Sequence, residues 1–369
     1  MPELRNPIVL GVKTGDVSPA RGISDLLMNT GWNTGNLLFS KAAFEIFDDA
    51  RTVRTREFTA AEAEGHDCIV IAAANWLSEG SDFGALSEQL EATNLPIIPL
   101  GIGAQASLDK KIPRLKPGTQ RLISLLAERS PLISARGPFS CEVLEHYGAK
   151  NSVATGCPSL LMSRGIRPAF RTTDAPLRDQ DVVIHSTRHH FNTAAPFHTY
   201  LYRQAYLNGH DLLLQSERSD LFYVLGKLAG QETMEKANAC LKDVFQADIP
   251  EIKAYLEKHG HVYFEAEKWY NYCRSRKFFV GTRIHGTIAA ILSGTPALLI
   301  AHDSRTVELA ETMGVPFVLK DDVDVTRPLD LERYYTLAMT HDFAPGYARY
   351  WETFQDFFER TELQTNLYG

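Results

Sequence analysis

The chain has 369 residues, which is too long for one ordinary core and fits two domains of roughly 150–200 residues each. Its 44% hydrophobic and 22% charged residues are typical of a globular protein. A net charge of −7 argues against nucleic-acid binding, although a local group of arginines could still bind a small anion.

Short apolar runs alternate with helix-length segments through the first half of the chain. Each run is bounded by turn residues, which is typical of a strand buried on both faces of a parallel sheet. The predicted strands are Pro7–Gly11, Cys68–Ala73, Pro96–Gly101 and Leu132–Ala135. The predicted helices are Asn36–Phe47, Phe83–Ala92, Thr119–Glu128 and Pro138–Tyr147.

The pattern breaks between Ser163 and Gln180, a stretch with four arginines and no apolar periodicity, which we interpret as a linker. A second alternating series follows it. Its predicted strands are Val182–His185, Asp211–Leu214, His261–Phe264, Phe278–Val280 and Ala297–Ile300. Two such series predict an α/β fold of two doubly wound, Rossmann-like domains that face each other across a cleft.

The break also sets the predicted domain boundaries. We predict an N-terminal Rossmann-like domain at residues 1–165, on the acceptor side of the cleft, and a C-terminal one at residues 181–340, which holds the anion site. The remaining residues, 341–369, carry aromatic side chains at helical spacing. They predict a C-terminal crossover helix that packs back on the N-terminal domain.

The five cysteines are scattered without zinc or redox spacing, so we expect buried reduced thiols. The polar segment Met1–Pro7 lacks an apolar signal region, and no stretch approaches the roughly 18–20 apolar residues of a membrane span. We therefore expect a cytoplasmic protein without a membrane span. Association with the inner face of the membrane and formation of homo-oligomers stay open.

The strongest candidate site is the turn that follows the predicted strand Phe278–Val280. In an open parallel sheet, ligands bind beyond the carboxyl ends of the strands, and a helix that begins there favours an anion. Arg283 would hold a phosphate or carboxylate through two hydrogen bonds. His285 carries the one kind of side chain that exchanges a proton near neutral pH. We predict Arg283 and His285 as catalytic residues.

Three further arginines follow predicted strands at the same edge of the two sheets. Arg136 ends a strand of the first domain, while Arg188 and Arg305 follow strands of the second. Each could bind the same anion, although an arginine at the start of a helix is also common as a plain surface residue. The predicted substrate-binding residues are Arg136, Arg188, Arg305, Asn33, Asn36 and Asn75.

The three histidines His185, His189 and His190 lie close together and raise the question of a metal site. No acidic ligand or regular spacing accompanies them, so we prefer a polar loop that touches an anionic ligand through Arg188. We predict no metal and no cofactor. The glycine-bearing loop Gly31–Asn36 suits close approach of a ligand, but it is not a dinucleotide-binding motif. Phosphate-loop, zinc-protease and serine-hydrolase motifs are absent from the sequence.

Several segments, taken in order, resemble the polysaccharide pyruvyl transferase family, from the loop at Asn33 to about Phe317. They are Asn33–Asn36, Gly101–Gln105, Ser134–Arg136, Tyr147–Asn151, Gly156–Ser159, Arg283–His285, Gly294–Pro296 and Asp303–Arg305. The resemblance implies a fold similar to B-type glycosyltransferases. It also implies transfer of a pyruvyl group from phosphoenolpyruvate to two hydroxyls of a sugar, as a cyclic ketal, in a cell-surface polysaccharide or its precursor.

The resemblance further assigns roles to individual residues. The family's active-site arginine and histidine match Arg283 and His285, and the arginine of the family's Ser-x-Arg motif matches Arg136. Two positions depart from the family: Arg305 stands where the family has lysine, and Ala72–Asn75 stands where it usually has glycines. The implied partners are phosphoenolpyruvate and a sugar or oligosaccharide acceptor, which a lipid could carry.

Two alternatives remain open at this point. A nucleotide-sugar-dependent glycosyltransferase of the same fold would bind a uridine or guanosine diphosphate sugar in place of phosphoenolpyruvate. An inactive binding subunit of a polysaccharide-assembly complex would show a cleft filled by side chains. The departures at Arg305 and Ala72–Asn75 keep this second alternative open.

Overall fold

The computed structural model describes residues 3–13, 22–106, 110–172, 176–193 and 195–368. Two parallel β-sheets form its framework, one in each half of the chain, and helices cover both. The predicted segment Met1–Pro7 and the predicted linker at residues 163–180 each lie partly outside the described residues.

Six strands in the first half are all parallel to their neighbours. They are β1 (Pro7–Gly11), β2 (Arg51–Arg54), β3 (Cys68–Ala72), β4 (Ile97–Leu100), β5 (Ile133–Ala135) and β6 (Ser152–Ala154). Four of them form a sheet in the order β2-β1-β3-β4, and β5 pairs with β6. A parallel bridge between Ile102 and Ala135 connects the two sets.

Helices of the first half lie on both faces of this sheet, except the first, Ile23–Asn29, whose Ile23 and Leu27 pack in the core of the second half. They are α1 (Ile23–Asn29), α2 (Asn36–Glu45), α3 (Gly84–Glu91), α4 (Pro117–Arg129) and α5 (Pro138–His146), with short 3-10 turns at Thr55–Glu57, Ala60–Ala63 and Pro158–Ser163. Alternate side chains of β1 enter different cores, since Val9 packs in one buried cluster while Ile8 and Leu10 pack in another. Burial on both faces explains the continuous apolar run of this strand.

The second half repeats the arrangement with a six-stranded parallel sheet. Its strands are β7 (Val182–His185), β8 (Asp211–Leu213), β9 (Gly260–His261), β10 (Phe278–Gly281), β11 (Ala297–Ala301) and β12 (Phe317–Leu319). Their order is β12-β11-β10-β7-β8-β9. The two halves thus confirm the predicted pair of doubly wound, Rossmann-like sheets.

The remaining helices cover the second sheet and extend back to the first half. They are α6 (Pro196–Asn208), α7 (Arg218–Val224), α8 (Gln231–Phe245), α9 (Ile249–His259), α10 (Ala266–Arg274), α11 (Ile284–Leu292), α12 (Ser304–Met313), α13 (Leu331–Thr340) and α14 (Phe343–Thr361), with 3-10 turns at Asp179–Asp181 and Lys320–Asp322. Within the described ranges, no helix is both long and apolar enough to cross a membrane.

The final helix, α14, contacts the first half through its aromatic face. The hydroxyl of Tyr350 donates to the carbonyl of Cys157 at 2.7 Å, and the Tyr347 and Ser163 hydroxyls lie 2.6 Å apart. Phe354 belongs to the same buried cluster as Val9 of β1 and Phe279 of β10. One apolar core therefore joins α14 to both sheets.

Element boundaries agree with the sequence in the central strands and differ at the edges. The predicted strand His261–Phe264 is wrong, because the extended segment there is only Gly260–His261. Strands β2, β6 and β12 were not predicted. All three are short and incompletely buried. Strands β2 and β6 lack the continuous apolar run that marks a central strand, whereas β12 has such a run and was missed.

Candidate anion-binding active site

The loops at the carboxyl ends of both sheets meet around a small polar chamber of about 60 Å3. The first half contributes loops that follow α1, β3 and β5, and the second half contributes loops that follow β7, β8, β10 and β11. The residues whose chemistry matters most are Arg136, Arg283, Arg305, His189, His285, Asn33, Asn36, Asn75 and Gln215. Three arginines in so small a space suit an anionic ligand.

The turn between β10 and α11 places Arg283 and His285 at this chamber. Gly281 makes the turn possible, because its φ of 154° is unfavourable for other residues and a Cβ there would lie 1.7 Å from the carbonyl oxygen of His185. The backbone N–H of Arg283 then donates to Nδ1 of His185 at 3.0 Å. Helix α11 begins immediately afterwards at Ile284.

Arg283 is buried and largely held by the protein itself. Its Nη2 atom donates to the Arg188 carbonyl at 2.7 Å and the Ser216 hydroxyl at 2.6 Å, and it forms an ion pair with Glu217. Although burial opposes it, the charge of Arg283 lowers the pKa of Glu217, so the pair stays ionised. The guanidinium is therefore fixed in position, with part of its charge already neutralised.

Arg136 differs from Arg283, because in the described part of the chain no carboxylate lies within ion-pair distance of its guanidinium. Only 2% of the residue is exposed. It donates to the Gly101 carbonyl at 2.9 Å and to Oδ1 of Asn75 at 2.8 Å, and it lies over the ring of Phe39. Burial lowers the pKa of Arg136, and a bound anion would offset the cost of burying this cation.

Arg305 lies in the first turn of α12 and lines both the chamber and the larger cavity beside it. It pairs with Asp303 at 3.0 Å. The same aspartate caps the helix by accepting from the Thr306 backbone at 2.8 Å. Although burial opposes it, the charge of Arg305 lowers the pKa of Asp303. Arg305 is thus a held cation at the opening between the two spaces.

His285 shares the chamber with all three of these arginines and is affected by their charges. Burial, and then the charges of Arg136, Arg305 and Arg283, lower the pKa of His285 well below its ordinary value. Its ring is therefore neutral at pH 7. A neutral ring in such a place can accept a proton or donate a hydrogen bond, depending on which nitrogen faces the ligand.

Arg188, predicted as a ligand contact, is placed elsewhere by the structure. Its side chain is fully buried in an ion pair with Asp220 and donates to the Ser219 hydroxyl at 2.8 Å. Burial alone would lower the pKa of Arg188, but the charge of Asp220 raises it. The guanidinium does not line the chamber, and Arg188 approaches the site only through its carbonyl, which accepts from Arg283.

The three predicted asparagines all lie at the chamber. Asn33 accepts from the Gly35 backbone at 2.9 Å, Asn36 donates to the Thr30 carbonyl at 3.0 Å, and Asn75 accepts from Arg136. Each therefore has a structural hydrogen bond as well as a place in the lining.

Sequence reasoning missed the contribution of the loop after β8. Gln215 lines the chamber, and Glu217 holds Arg283 from behind. The one sequence feature that could have indicated this loop is its position, because it follows a predicted strand at the edge of the sheet where ligands bind. His189, named only as one of three clustered histidines, also lines the chamber, and burial lowers its pKa to about 4.

A larger cavity of about 830 Å3 opens directly from the chamber, and Asn33, Asn36, Asn75, His189 and Arg305 line both spaces. Its walls come mainly from the first half and carry aromatic rings. Trp76 stacks on Phe83 with ring centres 4.4 Å apart, and Trp32 is 40% exposed. The cleft is open, which counts against the inactive-subunit alternative.

Among the residues described, no group of three or more histidine, cysteine or acidic side chains could hold a metal ion.

Comparisons with known proteins give one family and several distant folds. A sequence model of the polysaccharide pyruvyl transferase family matches residues 32–304. No curated protein matches the chain.

Solved structures with a similar fold include sugar-nucleotide enzymes. The chain is similar to S. aureus MnaA in complex with UDP, with 12% identity, 97% of this chain and 98% of that chain covered, and a TM-score of 0.46. It is similar to a putative UDP-N-acetylglucosamine 2-epimerase from Listeria monocytogenes, with 11% identity, coverage of 98% and 99%, and a TM-score of 0.45. It is also similar to the calicheamicin glycosyltransferase CalG4, with 13% identity, coverage of 96% of this chain and 99% of that chain, and a TM-score of 0.35. Nothing about this chain's activity follows from such distant similarities.

Proposed function

The chain belongs to the polysaccharide pyruvyl transferase family, and from that membership we propose that it transfers the pyruvyl group of phosphoenolpyruvate to two hydroxyls of a sugar. The product is a cyclic ketal on a cell-surface polysaccharide or its precursor. The proposal places the reaction in the cytoplasm, where a lipid-linked acceptor would be reached at the inner face of the membrane.

The observation that carries this proposal is the state of Arg136. It is a buried cation without a carboxylate partner among the described residues, and it shares the chamber with Arg283 and Arg305. Phosphoenolpyruvate carries a carboxylate and a phosphate, and both are ligands that the planar guanidinium group matches with paired hydrogen bonds. An anionic donor would supply the missing partner.

The proposed reaction needs a proton transfer and stabilisation of the departing phosphate, and residues of the chamber could supply both. The methylene carbon of phosphoenolpyruvate gains a proton, and a sugar hydroxyl adds to the carbon that bears the phosphate. The C–O bond to phosphate then breaks, and the second hydroxyl replaces it. Of the two hydroxyl protons, one balances the new methyl group and the other leaves with phosphate. In this proposal the fixed arginines stabilise the departing phosphate, and His285, which lines the same chamber, is the histidine that acts on the reacting centre.

The larger cavity supports a separate acceptor site. The chamber has room for the anionic donor end, whereas the adjoining 830 Å3 can take a sugar with its neighbours along the chain. Trp32 and Trp76 offer flat apolar surfaces on which a sugar ring can pack. An acceptor bound there would place its hydroxyls at the opening marked by Arg305 and His189.

The test is release of inorganic phosphate from phosphoenolpyruvate, followed by 31P NMR with a panel of sugar and oligosaccharide acceptors. We expect acceptor-dependent phosphate release and a ketal methyl signal in the product. A parallel thermal-shift experiment compares phosphoenolpyruvate with uridine and guanosine diphosphate sugars. Stabilisation by a nucleotide sugar alone, without phosphate release on any acceptor, would instead support the glycosyltransferase alternative.

A further inference from the structure

Cys157 lies behind His285, on the side of the ring away from the chamber. Its Sγ atom is 3.5 Å from Nε2 of His285, within the range of a sulfur hydrogen bond. Cys157 is fully buried and does not line the chamber, whereas His285 does. Nε2 therefore has a hydrogen-bond partner in the protein, whereas Nδ1 has none among the described residues.

The contact with Ser159 is compatible with a thiol that donates to His285. The hydroxyl of Ser159 donates to Sγ of Cys157 at 3.2 Å, and this serine is also fully buried. Because the sulfur already accepts a hydrogen from the hydroxyl, its own S–H is free to point towards Nε2. If the thiol donates in this way, Nε2 is the acceptor, and the single hydrogen of a neutral ring lies on Nδ1.

The position of Cys157 is itself fixed by the C-terminal helix. Tyr350 of α14 donates to the Cys157 carbonyl at 2.7 Å, and this tyrosine is buried. The thiol is thus held between α14 and α11 rather than on a mobile loop, as a residue that orients another must be.

We propose that Cys157 is a positioning residue, whose thiol donates to Nε2 of His285 and so presents the Nδ1–H of that ring to the ligand in the chamber. The inference rests on the proposed function for the identity of the ligand, but not for the state of the ring. It assigns His285 as a donor to an oxygen of the substrate anion rather than as a base. Neutral imidazole used in this way stabilises negative charge as it develops.

The surroundings of Nδ1 agree with an atom kept clear for a ligand. Gly35 lies beside it, and a Cβ at that position would come within 2.8 Å of Nδ1 and 2.6 Å of Oε1 of Gln215. Among the described residues, Nδ1 has no hydrogen-bond partner, while Nε2 has Cys157. The glycine allows close packing of this turn against the ring, and the lack of a hydrogen-bond partner leaves Nδ1 available to a ligand.

The first test reads the ring directly and needs no activity. The whole protein is labelled with 15N-histidine, and the His285 signals are identified by their loss in His285→Gln. We expect a protonated Nδ1 and an unprotonated Nε2 in the free enzyme, and a loss of this preference in Cys157→Ala. A protonated Nε2 in the unaltered protein, or an unchanged tautomer in Cys157→Ala, would overturn the proposal.

The second test is kinetic and uses Cys273→Ala as the matched control, because Cys273 is equally buried but does not contact His285. For histidines that bind metals, loss of the group that orients the ring typically costs about 10- to 100-fold, and we take this range as the guide here. We expect a fall of this order in kcat for Cys157→Ala, with KM for phosphoenolpyruvate little changed, and near-normal kcat for the control. An equal loss in both variants would contradict a positioning role. If neither the unaltered protein nor any variant releases phosphate from phosphoenolpyruvate, the proposed function is contradicted. The tautomer of His285 is still decided by the 15N spectrum.

Discussion

Glu308 and Ser140 join the two halves of the molecule directly beside the chamber. The Ser140 hydroxyl donates to Oε1 of Glu308 at 2.6 Å, and its backbone N–H donates to Oε2 at 3.1 Å. Ser140 lies in the first turn of α5, just after Arg136, and Glu308 lies one turn beyond Arg305 in α12. The contact therefore fixes the distance between two arginines that come from different sheets.

Ser140→Ala should loosen this contact and weaken donor binding. The carboxylate keeps its backbone partner but loses the hydroxyl inside a buried site, a loss of about 1–3 kcal/mol in the free energy of unfolding. Because Arg136 and Arg305 then hold their spacing less firmly, KM for phosphoenolpyruvate should rise. Urea unfolding and steady-state kinetics measure the two effects. Ser293→Ala is the control, since in the described part of the chain that buried hydroxyl bonds only backbone carbonyls of the second half. A normal KM in Ser140→Ala would contradict the expectation.

Lysine substitutions should separate Arg136 from Arg305. The guanidinium of Arg136 reaches the Gly101 carbonyl and Asn75 at once, a geometry that a lysine cannot reproduce. Arg136→Lys should raise KM for phosphoenolpyruvate by about 10- to 150-fold, the equivalent of a charged hydrogen bond worth about 1.5–3 kcal/mol. Arg305→Lys retains a cation at a partly exposed position and should keep most of the activity. Equal losses in the two variants would show that the guanidinium geometry matters at both positions, and a normal KM in both would show that charge alone is enough.

The residues of the candidate site could be predicted from the sequence where a charged side chain directly follows a predicted strand. Arg283, His285, Arg136 and Arg305 each follow a central strand whose apolar run was plain, and the rule that ligands bind at carboxyl ends brought them to one chamber. The same rule placed Arg188 there, although its side chain turns away. Its partner, Asp220, lies 32 residues further on, and nothing in a local pattern indicates such a pairing.

Substitution of Arg188 should therefore affect stability more than substrate binding. Arg188→Ala leaves Asp220 buried without its cation, which typically costs about 3–5 kcal/mol. Replacing both residues, as Arg188→Met with Asp220→Leu, should recover most of that loss, because neither charge is then left alone. Urea unfolding measures both variants. KM for phosphoenolpyruvate in the double variant should stay close to that of the unaltered protein, and a large rise would instead return Arg188 to the ligand site.

Buried histidines should make the fold sensitive to mildly acid pH. Burial lowers the pKa of His185 to about 3 and of His302 to about 4, below the ordinary value of about 6.5 that they regain on unfolding. Between those values the unfolded chain binds more protons than the folded one. The contribution of these histidines to the free energy of unfolding is therefore fully present above about pH 6.5. It is lost as the pH falls towards 4, by up to about 1.4 kcal/mol per pH unit for each histidine.

His185→Asn tests this expectation at one position. Asparagine cannot be protonated in this range, and its side-chain oxygen can accept from the Arg283 backbone as Nδ1 of His185 does. The variant should be less stable than the unaltered protein at pH 7.5, yet its free energy of unfolding should fall less steeply between pH 6.5 and 4.5. Urea unfolding at a series of pH values gives both slopes. His146→Asn, on an exposed part of α5, is the control and should leave the slope unchanged. A slope in His185→Asn equal to that of the unaltered protein would mean that His185 is protonated equally in both states.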